Sequence, residues 1–556
     1  MFKNQPKGLY VLALANTGER YGYYTMIAIL LFFLQAKFAF SAATAGFIYS
    51  TFLAVVYFMP LLGGVIADKW NFQKTVALGI GVMFLGYLCM AIPTAPRLNS
   101  SLVIMIAALL LISLGTGLFK GNLQVMIGDL YNAPEYSSKR DMGFSLFYMA
   151  INIGAMFAPA TSEALCNYAL HAKGLTYDPA LPSICNAFIA GDTISPENLQ
   201  FLQSMAGEGV SDLMAWCHHY METISIGYSY AFGVACFSLI VSYLIYRIGQ
   251  RTYDGVSDKK KVKKSGSDTA AVEEELTPEQ TKSRIVALLL VFLVVIFFWM
   301  VFSQNGATLT LFAQVFTQTE SSSWTRIGFN VWALAVIVVA VYAAFSLIQS
   351  KGKTSRIISG AVLLAAIAGL WMFYRHTPAS VGNIQPQIYQ QFNPFYVVAL
   401  TPFSVALFGW LAKKGKEPSA PRKIGLGMIV AAGAFLIMCL GSIGLGVAPT
   451  EGVGANLVSP NLLIGTYLVL TFAELLLSPM GCSFVSKVAP PKYKGAMMGC
   501  WFGATAVGNY LVSIPTLIWN KIDVAVLWAI LIVVCLISAC FIFAIMRKLE
   551  AATKDA

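Results

Sequence analysis

Long apolar stretches, each close to the length of a bilayer-crossing helix, alternate with short polar breaks along the whole chain. A hydrocarbon core about 30 Å thick needs roughly 20 apolar residues in a helix rising 1.5 Å per residue. The pattern predicts spans over 8–36, 43–67, 74–93, 101–127, 141–164 and 224–248. It resumes over 284–314, 329–349, 356–374, 389–412, 423–446, 461–487, 494–518 and 523–546, fourteen spans in all. Between the two sets, 249–283 holds KKKVKK and then EEELTPEQ with no apolar period, and reads as a solvated linker with at most one short helix.

The polar breaks fix an orientation. DKWNFQK, EYSSKRD, the KKKVKK linker, SKGKTSR, KKGKEPSAPRK, SKVAPPKYK and the tail MRKLEAATKDA are rich in Lys and Arg. The alternate breaks FAFSA, TQTESSSW, TPASVGN and APTEGVGANLVSPN are poor in them. So is the long loop over 165–223, which carries Asp178, Asp192, Glu197, Glu208, Asp212 and Glu222. By the positive-inside rule both termini are cytoplasmic, in a multi-pass protein of the plasma membrane. The first apolar run follows MFKNQPKG with no small-residue cleavage site and carries charge at its centre, so it reads as a retained helix.

Composition supports this reading. Over 556 residues, 57% are hydrophobic and 11% charged, which excludes an ordinary soluble domain. The net charge of +11 sits in the loops, where topology explains it better than nucleic-acid binding does. Most of the ten cysteines, such as Cys89, Cys236, Cys439 and Cys535, fall singly in apolar runs and read as packing residues. Cys166, Cys185 and Cys217 lie in or beside the long loop, where a disulfide is open but three thiols leave its pairing undefined. There is no metal-ligand spacing, no phosphate loop and no nucleophile–base pair, so neither an enzyme nor a metal or organic cofactor is expected.

Four charges do not belong to loops. Glu19 and Arg20 lie in NTGERYGYYT some ten residues into the first span, hence roughly 15 Å deep. Lys120 lies in LISLGTGLFKGN and Glu474 in TYLVLTFAELLLSP. Each such charge costs about 2.5 to 3.5 kcal/mol at the bilayer centre even on insertion scales, so all four are expected to face protein or a cavity. Asn16, Tyr23 and Tyr24 stand one turn from Glu19 or Arg20 on the same face. The two acids and two bases could be structural ion pairs. That they come from both halves of the chain favours a site between two bundles near the midplane, as in a transporter. Pro479 and Gly481, less than two turns beyond Glu474, are places where that helix could bend as a gate. The pairs Gly117 and Gly121, and Gly495 and Gly499, permit close helix contact.

The motifs along the chain resemble the proton-dependent oligopeptide transporters of the major facilitator superfamily. NTGERYGYY is similar to that family's first-helix E-x-x-E-R-F-x-Y-Y element, and GGVIADKW to the superfamily's loop after the second helix. GTGLFKGN, GFSLFYMAINIGAMFAP, FSQNGATLTLFA, ELLLSPMGCSFVSKVAP and KGAMMGCWF match further signatures in the family's order. The resemblance implies an all-α membrane fold of two six-helix bundles plus an extra transmembrane pair. Residues 1–248 would be the N-terminal bundle, 249–283 a cytoplasmic linker, 284–550 the C-terminal bundle with the pair inserted at 329–375, and 551–556 a tail.

The same resemblance implies import of di- and tripeptides with protons, by alternating access. Carried over by motif position, Glu474 would hold the peptide's amino group with Asn152 and Asn393, and Lys120 would serve its carboxylate. Tyr23, Tyr24, Tyr57, Trp299 and Trp501 would wall the cavity, and Asp68 would belong to the cytoplasmic gate. Glu19, Arg20, Lys120 and Glu474 would handle the coupling proton. A zwitterion does need an acid and a base held apart, with neutral hydrogen-bonding groups between them that select no side chain.

Departures from the family pattern narrow the proton chemistry. Asn16 stands where an acid is usual, Ser303 and Gln304 where the seventh helix usually reads Glu-Gln, and Ile27 where a second arginine is usual. Ser50 takes the place of a histidine found in mammalian members, and the four histidines lie outside the membrane core. The extra pair also follows the seventh core helix, whereas bacterial members place it between the halves. Proton coupling would then rest on Glu474 and Glu19. Two other readings stay open: a weakly coupled facilitator with altered substrate preference, and a non-transporting sensor whose outer loop and linker bind partners.

Overall fold

In the computed structural model, residues 5–94, 98–137, 139–207, 209–254, 277–350, 352–490 and 493–554 are described; the side chains of Asp68, 478–483, 486, 487, 494 and 495, among others, fall outside that set. Helices occupy all fourteen predicted stretches. They are α1 (Lys7–Phe38), α2 (Ala42–Lys69), α3 (Phe72–Ala91), α4 (Asn99–Leu130), α5 (Arg140–His171) and α6 (Leu213–Ile248). Next come α7 (Pro278–Phe302, continued through a 3-10 turn into Thr308–Phe316), α8 (Val331–Gln349), α9 (Lys353–His376) and α10 (Phe392–Lys413, entered through the 3-10 turn Pro386–Gln391). The last four are α11 (Ala420–Gly441), α12 (Asn461–Val488), α13 (Lys494–Leu511, continued as Ser513–Leu517) and α14 (Val524–Ala544). Among the described residues twelve helical segments are long and apolar enough to cross a bilayer, and Asn461–Leu477 adds a shorter apolar one.

The first six helices form one bundle, with α1 against α5 and α6, and α4 between α2 and α3. In the second, α7 packs on α13 and α14, and α11 on α12 and α14. The bundles meet along two seams, α2 with α13 and α5 with α10. Glycines set the closest approaches: a Cβ at Gly63 would stand 2.2 Å from the carbonyl oxygen of Gly117, and one at Gly117 only 2.5 Å from Met59. The Gly117 contact is thus a packing contact, while Gly121 has room for a Cβ.

The extra pair α8–α9 packs on itself, on α10 and lightly on α5. Only 17% and 11% of its most apolar windows are buried, against 83% for α1, so its faces are free for lipid. Tyr342 ties it to the core. Pro402 has no N–H to give the carbonyl of Val398 one turn back, and the Tyr342 hydroxyl donates to that oxygen at 3.2 Å.

Two helix ends lie far from where hydropathy stops. α6 begins at Leu213, not 224, because Asp212 caps it by accepting the N–H of Ala215 at 2.9 Å. Cys217, Tyr220 and Met221 then bury against the helix Leu181–Ala190. α5 runs to His171, not 164, its last turns holding buried Cys166 and Leu170. The segment left between them, 172–212, is no loose insertion: it contains the helices Leu181–Ala190 and Pro196–Ala206 and buries Tyr177, Leu181, Ile184 and Leu202. It also straps the halves together, since the Ser183 hydroxyl accepts the N–H of Gly452 at 2.9 Å and the Pro179 carbonyl accepts from Gln314 at 3.3 Å. The end of the molecule carrying 172–212 is called the loop side below, and the opposite end the linker side.

All described cysteines are free thiols. Cys185 and Cys217 are interacting neighbours, and Cys166 lies in the electrostatic surroundings of Tyr177 and Tyr228. The acidic and basic runs of the linker fall at 255–276, outside the described residues; α7 opens just beyond them with a capping box between Thr277 and Gln280.

Candidate functional site

The four intramembrane charges do not form one network. The Arg20 guanidinium donates twice to its sequence neighbour, Nε to Glu19 Oε2 and Nη2 to Oε1, both at 2.5 Å, and lies 4.5 Å over the Tyr23 ring. Glu19 and Arg20 are 0 and 3% exposed, so this is a desolvated, self-compensating pair. Lys120, half-buried on α4, sits 4.2 Å over the ring of Tyr57 on α2. Among the described residues it is paired with no carboxylate.

Glu474 on α12 is held by neutral donors instead. The Tyr148 hydroxyl on α5 donates to Oε1 at 3.0 Å, and Asn393 Nδ2 on α10 donates to Oε2 at 2.8 Å. Asn393 also donates to Thr471 at 3.0 Å. The bond from Tyr148 crosses the seam between the bundles. Tyr148 escaped the sequence reading; its place in FSLFYMAINIG, one turn before Asn152, was the available signal.

Beside Glu474 a small cleft of about 60 Å³ is lined by Tyr24, Ile27, Asn152, Ala155 and Pro159 from the first bundle and Asn305, Gln390, Asn393 and Pro394 from the second. Its polar groups are mostly amides. Asn152 donates to the Tyr148 carbonyl at 3.0 Å, Gln390 donates to the Ala28 carbonyl and to Thr310 at 3.3 Å each, and the Asn305 carbonyl accepts from Tyr467 at 2.7 Å. Pro159 cannot donate to the carbonyl of Ala155, a break in α5 within the cleft wall.

Of the residues expected to meet substrate, Tyr24, Asn152 and Asn393 line this cleft, and Glu474 stands behind Asn393. Tyr24 also lies within electrostatic reach of Glu474, Glu19 and Arg20. Tyr57 and Trp299 face each other across the seam, ring centroids 6.3 Å apart, with Lys120 on Tyr57 and the buried Trp299 Nε1 unpartnered. Tyr23 and Trp501 are not among the cleft-lining residues. Tyr23, 4% exposed, is wedged under Arg20 and stacked on Phe52, and Trp501 packs edge-on against Phe292, so in this arrangement aromatic packing holds both. Asp68 falls in α2, and Pro479 and Gly481 in α12, where their side chains lie outside the described set.

The departures are visible too. The Ser303 hydroxyl donates to Asn509 Oδ1 at 2.7 Å, Gln304 is satisfied within its own turn, and Ile27 forms part of the cleft wall. Asn16 is buried with its amide nitrogen unpartnered.

The sequence pattern of the POT family matches residues 73–273 and 362–531. The chain belongs to the POT family. Among curated relatives, an uncharacterized transporter, YclF, of Bacillus subtilis is 28% identical over 535 residues, 94% of this chain and 89% of the relative. The dipeptide and tripeptide permease A of Escherichia coli is 22% identical over 539 residues, 93% and 86% of the two chains. A POT family transporter solved with 5-aminolevulinic acid superposes with a TM-score of 0.67 at 18% identity, covering 99% of this chain and 98% of the other. The peptide transporter POT solved with alafosfalin gives 0.66 at 20%, covering 100% and 97%. The POT fold of two six-helix bundles is therefore this chain's fold, with the pair α8–α9 appended beside α10.

Proposed function

We propose that this POT family member carries di- and tripeptides into the cell together with protons, by alternating access between its two bundles. It would sit in the bacterial inner membrane with the loop side outside and both termini cytoplasmic, as the loop charges indicate. The relatives named as peptide permeases support the substrate class.

Glu474 carries the reading. It is a buried acid on the second bundle, ion-paired with no cation among the described residues, bonded across the seam to Tyr148 and beside a cleft whose amides come from both bundles. In that place a carboxyl can take up a proton or a peptide ammonium group, and either event changes the bond that holds the seam. Lys120 is the base for the peptide carboxylate. Asn152, Asn393, Gln390 and Asn305 match backbone amides without selecting side chains, and Tyr24 with the Tyr57–Trp299 contact supplies aromatic walls. Tyr23 and Trp501 support them from behind. Glu19 and Arg20 neutralise each other, which leaves Glu474 as the midplane acid able to exchange a proton. Asp68, Pro479 and Gly481 are assigned to the linker-side gate. Each proton moving inward gains about 2.3 kcal/mol per 100 mV, enough to drive accumulation.

The test is uptake of labelled dialanine into proteoliposomes with and without an inward proton gradient and a negative interior, for wild type and Glu474→Gln. Gradient-driven accumulation lost in the variant supports the proposal. Equilibration indifferent to the gradient would make the protein a facilitator, a reading favoured by the neutral Asn16 and Ser303. No flux of any peptide from a mixed pool would sink the transport reading.

A further inference from the structure

One acid at the seam has no part in this mechanism. Glu163 lies one turn beyond Pro159 on α5, half-buried on the loop side of the cleft. Its Oε1 accepts the backbone N–H of Gln385, in the second bundle, at 3.1 Å. One turn further along α5, Asn167 Oδ1 accepts from Gln385 Nε2 at 2.5 Å, and Gln385 Oε1 accepts from Gln387. Gln385 and Gln387 are 0 and 1% exposed, so this polar cluster is sealed between the halves and leads directly into Gln390 in the cleft wall.

Among the described residues Glu163 faces no cation. The titratable groups within electrostatic reach of it are Cys166 of its own helix, Tyr177 of segment 172–212 and Tyr389 at the entry to α10. Among the described residues no lysine, arginine or histidine forms an ion pair with it. Tyr389 is 1% exposed and its hydroxyl has no hydrogen-bond partner, an unsatisfied polar group within electrostatic reach of the acid. A charged carboxylate holds the Gln385 N–H strongly, because hydrogen bonds to ionised acceptors are about twice as strong as neutral ones. Protonation reduces that grip and gives the carboxyl an O–H of its own to donate.

We propose that Glu163 is a second proton-binding site, placed on the outer seam, whose occupancy from the outside releases Gln385 and lets the cleft open outward. The event forms one O–H bond at the carboxylate with a proton from external water, returned when the seam closes. It rests on the reading of the chain as a proton-driven importer with its loop side outside. It would supply proton sensitivity in a protein with Asn16 and Ser303 at its other expected acid positions.

The test is hydrogen–deuterium exchange of the full-length protein in lipid nanodiscs, followed in peptides covering 377–391 in acidic and alkaline buffer, each corrected for the intrinsic chemical rate. Wild type is expected to exchange several-fold faster in acid. Glu163→Gln should exchange at the acid level in both buffers. Asn167→Ala, which removes a neighbouring bond but not the acid, should raise exchange in both and keep the difference. Should Glu163→Gln fail to fold, Gln385→Pro serves instead: Gln385 has φ −79° and ψ 145°, which proline tolerates, and the substitution deletes the N–H. It too should abolish the acid–alkaline difference. No difference in wild type, or a wild-type difference surviving in Glu163→Gln or Gln385→Pro, overturns the proposal. Dialanine uptake measured in parallel reports on transport alone, so wild-type protein without flux would fail that reading whichever way the exchange falls.

Discussion

Glu19 and Glu474 are both buried carboxylates in the middle of membrane helices, one in each bundle, yet they are held in opposite ways. Glu19 is clamped by a bidentate guanidinium one residue away on its own helix, and nothing in that pair depends on how the bundles sit. Glu474 is held by a phenol and an amide from two other helices, and its bond to Tyr148 crosses the seam between the bundles. A charge that brings its own counter-charge can be buried permanently. A charge compensated by neutral donors from a moving partner changes its surroundings whenever the partner moves, which is what coupling requires.

The comparison breaks most readily at the clamp. Arg20→Gln leaves Glu19 as an uncompensated anion in the core of α1, and breaking a buried pair from one side costs about 3 to 5 kcal/mol. The expected result is a severe loss of monodisperse protein and a lowered unfolding midpoint in detergent. Replacing both residues with glutamine should recover most of the loss, because no orphan charge remains. A single variant as stable as wild type would show that Glu19 finds another partner and would erase the contrast with Glu474.

Glu474→Gln should behave otherwise. Glutamine keeps the shape and can still accept from Tyr148 or Asn393, so the unfolding midpoint is expected to stay near that of wild type. The accumulation ratio for dialanine under a proton gradient should fall to one while exchange of peptide across the membrane persists. A variant that unfolds like Arg20→Gln would make Glu474 a structural charge as well.

Tyr148→Phe sharpens the contrast without touching either acid. It removes one hydrogen bond to a charged group, worth about 1.5 to 3 kcal/mol, and that bond spans the seam. The expected effect is a change of roughly tenfold in the apparent affinity for peptide, with folding and the Glu19–Arg20 pair intact. Unchanged uptake kinetics would mean that the seam is closed by other contacts alone.

The fourteen helices, their order and the four intramembrane charges were legible because membrane helices write themselves in apolar length, and an intramembrane charge stands out against it. Pairing was not legible. Nothing in NTGERYGYYT says that Arg20 turns back onto Glu19, or that Tyr23 is wedged beneath it while Tyr24 borders the cleft, since both tyrosines lie one turn from a charge. Tyr148 and Glu163 went unread for a related reason: each acquires meaning from a residue more than two hundred positions away, Glu474 in one case and Gln385 in the other. The start of α6 was misplaced because LMAWCHHYMET looks polar to a hydropathy window, whereas Asp212 caps it and segment 172–212 buries one face of it.

The smallest effect is expected at the extra pair. Tyr342→Phe deletes the hydroxyl that donates to the Val398 carbonyl, the acceptor left free by Pro402, at a net cost of about 0.5 to 1.5 kcal/mol. Because α8 and α9 are mostly lipid-exposed and the bond reaches α10 beyond the cleft-lining Asn393 and Pro394, a slight fall in the unfolding midpoint should come with unchanged dialanine accumulation. Tyr342 braces the flank of α10 at Val398, one turn past the cleft-lining Pro394, so its loss reaches the site only through motion of α10 itself. A variant that kept its stability but lost accumulation would show that α10 moves against the pair during transport, and would make α8–α9 a fulcrum instead of a passive addition.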